Sequence, residues 1–96
     1  MNIYQKRPIQ ISAIQLTVEN AYDVMSAANH MQPADKQIKL SIDAGIIWGL
    51  VIPTKEGDML CGIGDFLIKE PFPTDDRMFY PCKADMFYLT YFMVEE

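Results

Sequence analysis

Hydrophobic and polar positions change period several times along the chain, and each change marks an element. Ile9, Ile11 and Ala13 alternate with Gln10 and Ser12, as a half-buried strand requires. The apolar phase then slips to Ile14 and Leu16. A slip of one residue sends side chains to the other face unless a bulge absorbs it, so a bulge or sharp twist is expected near Ala13-Ile14. Thr17 is a capping residue, Glu19 suits the positive end of a helix, and Val18, Ala21, Tyr22, Met25 and Ala28 recur at three- and four-residue spacing. These signals predict a helix over about 18–30, which Pro33 keeps from running on.

Beyond the helix the period falls to two. Ile38, Leu40 and Ile42 alternate with polar residues, Asp43-Ala44-Gly45 supplies turn chemistry, and 46–52 is apolar at nearly every position. That run predicts a central strand covered on both faces, with Trp48 in the core and Gly49 where another group packs close. Short strands are expected at 59–61, 66–69 and 77–80, with turns at 55–58 and 62–65 and a rigid acidic loop at 71–76. A helical turn at 84–86 and an extended piece over 89–94 complete the pattern. Connections this short force antiparallel pairing. The predicted fold is therefore α+β: one small twisted antiparallel sheet of five to six strands with a single main helix packed on it, in one domain covering 1–96.

Composition narrows the function classes. Thirteen acids against eight bases give a net charge of −5, which opposes binding to a polyphosphate. The bases are scattered, with only Lys6 and Arg7 adjacent. No apolar stretch approaches the roughly 20 residues that span a bilayer, and the first residues lack the apolar region of a secretory signal. A protein that stays in the cell making it, without a membrane partner, is expected. Cys61 and Cys82 read as free thiols, and with His30 alone and no paired spacing of ligands, neither metal nor cofactor is called for. His30 reads as a cap at the helix end, a place that favours a cation.

Three places offer chemistry. Cys82, beside Lys83, has the setting of a thiol with lowered pKa, although buried thiols are commonly inert. Gly62-Ile63-Gly64-Asp65 has the composition of a phosphate loop, but no helix follows it, so a turn is the better reading. Asp75-Asp76 reads as a solvated acidic pair. Arg77, Tyr80, Lys83 and Tyr88 combine aromatic faces with cations, a mix suited to a planar anion or a protein partner. Eight of the eleven aromatics lie between Phe66 and Phe92, so either a core or an apolar surface is built there.

Two segments, 4–17 and a longer one with three matching stretches over 52–87, resemble a family of small uncharacterised bacteriophage and prophage proteins. The stretch from Tyr4 to Thr17, Y-Q-K-R-P-I-Q-I-S-A-I-Q-L-T, is similar to the family's Y-R-K-K-P-V-x-I-x-A-x-Q-x-T. Ile52 to Met59 resembles I-x-T-L-E-G-x-M, Gly64 to Lys69 resembles G-D-[YW]-I-I-K, and Phe79 to Phe87, F-Y-P-C-K-A-D-M-F, resembles F-Y-P-C-K-P-D-I-F. Glu70 stands where the family has glycine, Ala84 where it has proline, and 21–50 does not align. The resemblance implies a small phage-encoded α+β protein acting in the host cytoplasm and marks Tyr80, Pro81, Cys82, Lys83 and Asp85 as the signature. It assigns no catalytic residue.

The expected function is that of a non-enzymatic phage accessory protein that binds and inhibits a host factor. The leading form is a counter-defence inhibitor, anti-CRISPR-like or directed at another defence system; a sponge for a signal nucleotide is the close variant. Candidate binding residues are Arg77, Tyr80, Cys82, Lys83, Asp85 and Tyr88. The partner would be a host protein or a small nucleotide signal, with self-assembly through the aromatic-rich final third as a further reading. A nucleic-acid-binding module and a thiol enzyme using Cys82 are the alternatives.

Overall fold

The computed structural model describes residues 1–5, 7–74 and 77–94. Its elements are β1 (Ser12–Gln15), α1 (Ala21–Asn29), a 3₁₀ turn (Ala34–Lys36), β2 (Lys39–Asp43), β3 (Ile46–Thr54), β4 (Gly57–Gly62), β5 (Phe66–Thr74), β6 (Arg77–Cys82) and α2 (Ala84–Thr90). The class is α+β and all strand pairs are antiparallel, as the short connections require. The strands divide between two three-stranded sheets, β1-β5-β6 and β2-β3-β4, where the sequence pattern predicts one. The division falls at the 62–65 turn, which ends β4 in one sheet and starts β5 in the other.

The entry to α1 is set by a reciprocal pair of hydrogen bonds. The Thr17 amide donates to Asn20 Oδ1 at 2.8 Å, and the Asn20 amide donates to Thr17 Oγ1 at 3.1 Å. This arrangement satisfies two amides before the helix begins and holds 18–20 as a turn, so α1 starts at Ala21 and not at Val18. The buried face is correspondingly Ala21, Val24 and Ala28, while Val18 and Tyr22 are exposed. At the other end the Asn29 amide group donates to the Ile38 carbonyl at 2.9 Å and accepts from the Ile38 amide at 2.7 Å. One side chain thus ties the end of α1 to the start of β2.

In the second sheet, Ala44 and Gly45 both take positive φ, 51° and 77°, in the two-residue turn between β2 and β3. The register then shifts: Ser41 pairs with Gly49 but Ile42 with Ile47, leaving Trp48 as the extra residue of a bulge. The bulge turns Trp48 outward, 55% exposed, and so corrects its expected place in the core. Gly49 is as expected a site of close approach, because a Cβ built there would collide with the Cys61 carbonyl. The bulge expected at Ala13-Ile14 is absent: β1 pairs with β5 in unbroken register from Ser12↔Lys69 to Gln15↔Phe66. The ladder begins only at Ser12, after the odd-phase isoleucines, so the phase slip costs no pairing.

Leu16, Ile38, Leu50, Ile52, Cys61, Leu67, Ile68 and Phe79, with the α1 face, form the buried interior. Each large aliphatic side chain removed from water is worth roughly 1.5–3 kcal/mol. The segment Pro71–Thr74, expected as loop, continues β5 with a register shift between Lys69 and Thr74; Asp75 and Asp76 lie outside the described residues. The expected single turn at 84–86 is a helix to Thr90, and 91–94 follows it without a strand.

Candidate functional site

The six candidate residues do not converge. They are strung along β6 and α2 and fall into two groups. At one end of β6, the Arg77 guanidinium pairs with Glu70 (Nε to Oε2, 2.9 Å) and lies 4.5 Å from the centre of the Tyr80 ring. Both the charge and the planar face of Arg77 are thereby committed to this chain. Tyr80 is pushed up to about 12, first by burial and then by its hydrogen bond with Tyr91, with the charges of Tyr91 and Glu70 disfavouring its anion and Arg77 opposing them. It is a neutral hydrogen-bonding group at physiological pH and not an acid.

At the other end, the chain is pinned through Asp65. The 62–65 segment is a tight turn in which Gly64 has φ of 94° and the Asp65 amide donates to the Gly62 carbonyl at 3.0 Å. Asp65 Oδ2 accepts from the Gly62 amide at 3.1 Å and from Lys83 Nζ at 3.0 Å. The same turn joins both sheets: the Ile63 amide donates to the Trp48 carbonyl at 3.0 Å, and the Gly64 amide to the Leu16 carbonyl at 2.7 Å. Its amides therefore face protein carbonyls and a carboxylate, which accords with the turn reading and leaves no cradle for phosphate.

Lys83 precedes α2, and α2 is docked by aromatic contact. Phe87 stacks on Phe66 with ring centres 3.7 Å apart and planes within 4°, Tyr88 meets Phe66 edge-on at 5.5 Å, and Tyr91 lies 5.0 Å from Phe87. Asp65, Phe66, Glu70, Phe87 and Tyr91 thus organise the region, although residue chemistry alone did not single them out. The signal available for the first two was the Gly-Asp-Phe stretch.

The thiols are not activated. Cys82 is raised, not lowered as its neighbour Lys83 suggested, by burial and by the charges of Asp65 and Asp85; the Lys83 ammonium is turned to Asp65 instead. Cys61, fully buried, is pushed up to about 12, mainly by burial. Both are free thiols. Asp85 Oδ1 accepts from the Met86 amide at 2.8 Å at the start of α2. Among the described residues no three His, Cys, Asp or Glu side chains gather as a metal site, and no helix is long and apolar enough to cross a membrane.

Two concavities remain. A cleft of about 410 Å³ lies between the β3–β4 turn and β6, bounded by Lys55, Glu56, Met59, Arg77 and Tyr80. An apolar groove of about 260 Å³ runs between α1 and the β1 side of its sheet. The outer side of α2 and the residues after it carry a run of exposed apolar side chains, Met86, Tyr88, Leu89, Phe92, Met93 and Val94, of which Leu89, Phe92 and Met93 are 83–87% exposed. Comparison with known protein families, curated proteins and solved structures found no match.

Proposed function

We propose that this chain is a non-enzymatic binding protein, a phage accessory protein that blocks a host protein of a defence system through the outer side of α2 and residues 92–94. The observation that carries the reading is the division of labour within α2. Phe87 and Tyr91 hold the helix on the body, while Met86, Leu89, Phe92 and Met93 are left in water. Large aromatic and methionine side chains clustered on a surface are the usual material of a binding hot spot. The phage resemblance supplies the host setting, and a net charge of −5 suits a partner with a basic surface.

Expression in cells carrying single defence systems tests this. At least one restricted phage should recover plating by tenfold or more, and Leu89→Asp with Phe92→Asp should abolish the recovery while leaving the unfolding midpoint unchanged. Unchanged plating across a broad panel of systems would overturn it. The nucleotide-sponge variant has less behind it, since Arg77 and Lys83 are each turned to a carboxylate of the same chain; a nucleotide retained through purification and seen by mass spectrometry would restore it. The nucleic-acid alternative requires retention of single- or double-stranded nucleic acid at low salt.

A further inference from the structure

Residues 1–5 and 7–10 bury almost nothing in their own fold. Ile3 is 99% and Tyr4 88% exposed, and Ile9 stays 42% exposed. They lead into β1, which is an edge strand with no strand paired on its outer side among the described residues; there only the Gln15 carbonyl is seen to accept a bond, from Asn20 Nδ2 at 3.0 Å, which leaves it a second lone pair. The direction of its backbone groups is fixed by Leu16, whose amide donates to the Asp65 carbonyl and whose carbonyl accepts from Gly64, both on the β5 side. Parity then places the amides of Ile11, Ala13 and Gln15 outward. An exposed apolar edge of this kind is a template for another strand.

We propose that this edge pairs with itself in a second copy: residues 9–15 of two chains add antiparallel across a two-fold axis, joining two three-stranded sheets into one of six. The strand that fills the edge has to come from another molecule. Residues 7–11 run into Ser12 with no turn or bend between them, so the segment makes no reversal that would fold it back on its own edge. A two-fold axis is the symmetry such self-complementary pairing demands. Full overlap of 9–15 sets Ile9 opposite the second copy's Gln15, Ile11 opposite Ala13 and Ser12 opposite Ser12. The odd residues then form the hydrogen-bonded pairs, in agreement with their outward amides, and Pro8 falls at an even position where a missing outward amide costs nothing.

Charge supports the second copy as the occupant. Residues 1–18 contain Lys6 and Arg7 and no acid, whereas 19–96 contain six bases and all 13 acids, net −7. Continuing the register sets Arg7 opposite the second copy's Thr17, beside the acidic entry of α1, where Glu19 and Asp23 are both exposed. The apolar groove lies along the same seam. Ile14 and Met31 on its walls are 44% and 47% exposed, and Lys69 is the one charged side chain lining it. The pairing rests on β1 and does not depend on the α2 surface.

Two measurements on the full chain test it. Sedimentation equilibrium should give about 22 kDa, twice the 11.0 kDa of one chain, at tens of micromolar protein. Lys6→Glu with Arg7→Glu should weaken association at least tenfold and reverse its salt dependence, with an unchanged circular dichroism spectrum. In a Cys82→Ser background, Ser12→Cys should form an intermolecular disulfide on mild oxidation, because a directly opposed non-hydrogen-bonded pair stands about 4.5 Å apart at Cα. A monomer at every concentration up to several hundred micromolar overturns the proposal. So does a dimer that ignores the charge reversal and yields no Ser12→Cys disulfide, which would assign self-association to another face such as α2.

Discussion

Asp65 does more than any other side chain to hold the signature region together. Its Oδ2 closes the 62–65 turn on the Gly62 amide and anchors Lys83, and its charge helps to raise both thiols. The two contacts separate by substitution. Asp65→Asn keeps an oxygen for the Gly62 amide and loses only the ion pair to a lysine that is 69% exposed, so it should cost about 0.5–1 kcal/mol. Asp65→Ala strands the amide as well and should cost about 2–3 kcal/mol. Denaturant unfolding of the two variants checks the ordering; equal costs would mean that the turn contact contributes nothing. Gly49 gives a sharper case. The collision of an added Cβ is with backbone that β3–β4 pairing holds in place, so Gly49→Ala should lose about 3 kcal/mol or more.

At the level of elements, α2 is the least self-sufficient. Seven residues cannot hold a helix in water on their own, so the stack of Phe87 on Phe66 and the Lys83 anchor have to supply what propensity does not. Phe87→Ala should free α2, with amide-exchange protection over 87–91 falling to that of an unfolded segment while β3 keeps its own, at a cost of about 2–3 kcal/mol. Retained protection would show that Tyr91 suffices. The same helix marks where sequence reading stops. Two-residue alternation over 38–42, the turn chemistry of 43–45 and the continuous apolar run over 46–52 predicted β2, β3 and the hairpin between them, and Pro33 bounded the first helix. The extent of α2 was not predictable from 84–94, because its stabilising partner is Phe66, some twenty residues earlier. The outward turn of Trp48 depends on a bulge, which is a relation between two strands and leaves no mark in either one. The candidate residues were close in sequence along 77–88, yet a strand spreads its residues at about 3.3 Å each, and Arg77 and Lys83 end beside different carboxylates.

Taken whole, the molecule is built with more apolar surface than it buries: among the described residues 11 hydrophobic side chains are buried and 21 large ones exposed. A radius of gyration of 14.7 Å exceeds the roughly 12–13 Å of a compact chain of this length. A small interior makes single groups in and beside it count, and two of these, buried Cys61 and half-buried Tyr80, are acids held in the neutral form. Cys61 rises from 9.0 to about 12 and Tyr80 from 10.0 to about 12. Both have folded-state values above their unfolded ones. Below pH 9 both groups are protonated in both states and pH has no effect through them. Above it the unfolded chain gives up these protons first, the native state binds more, and unfolding free energy falls with rising pH until about 12. Stability should therefore be flat from pH 7 to 8.5 and decline steadily from pH 9 to 11, measured by urea unfolding at fixed ionic strength. Cys61→Ala lowers the plateau by removing packing, but it also removes one of the two groups, so its decline over the same range should be shallower than that of the parent chain. A slope unchanged by the substitution would assign the alkaline loss to Tyr80 and the surface charges, and would mean that Cys61 meets water before the fold opens.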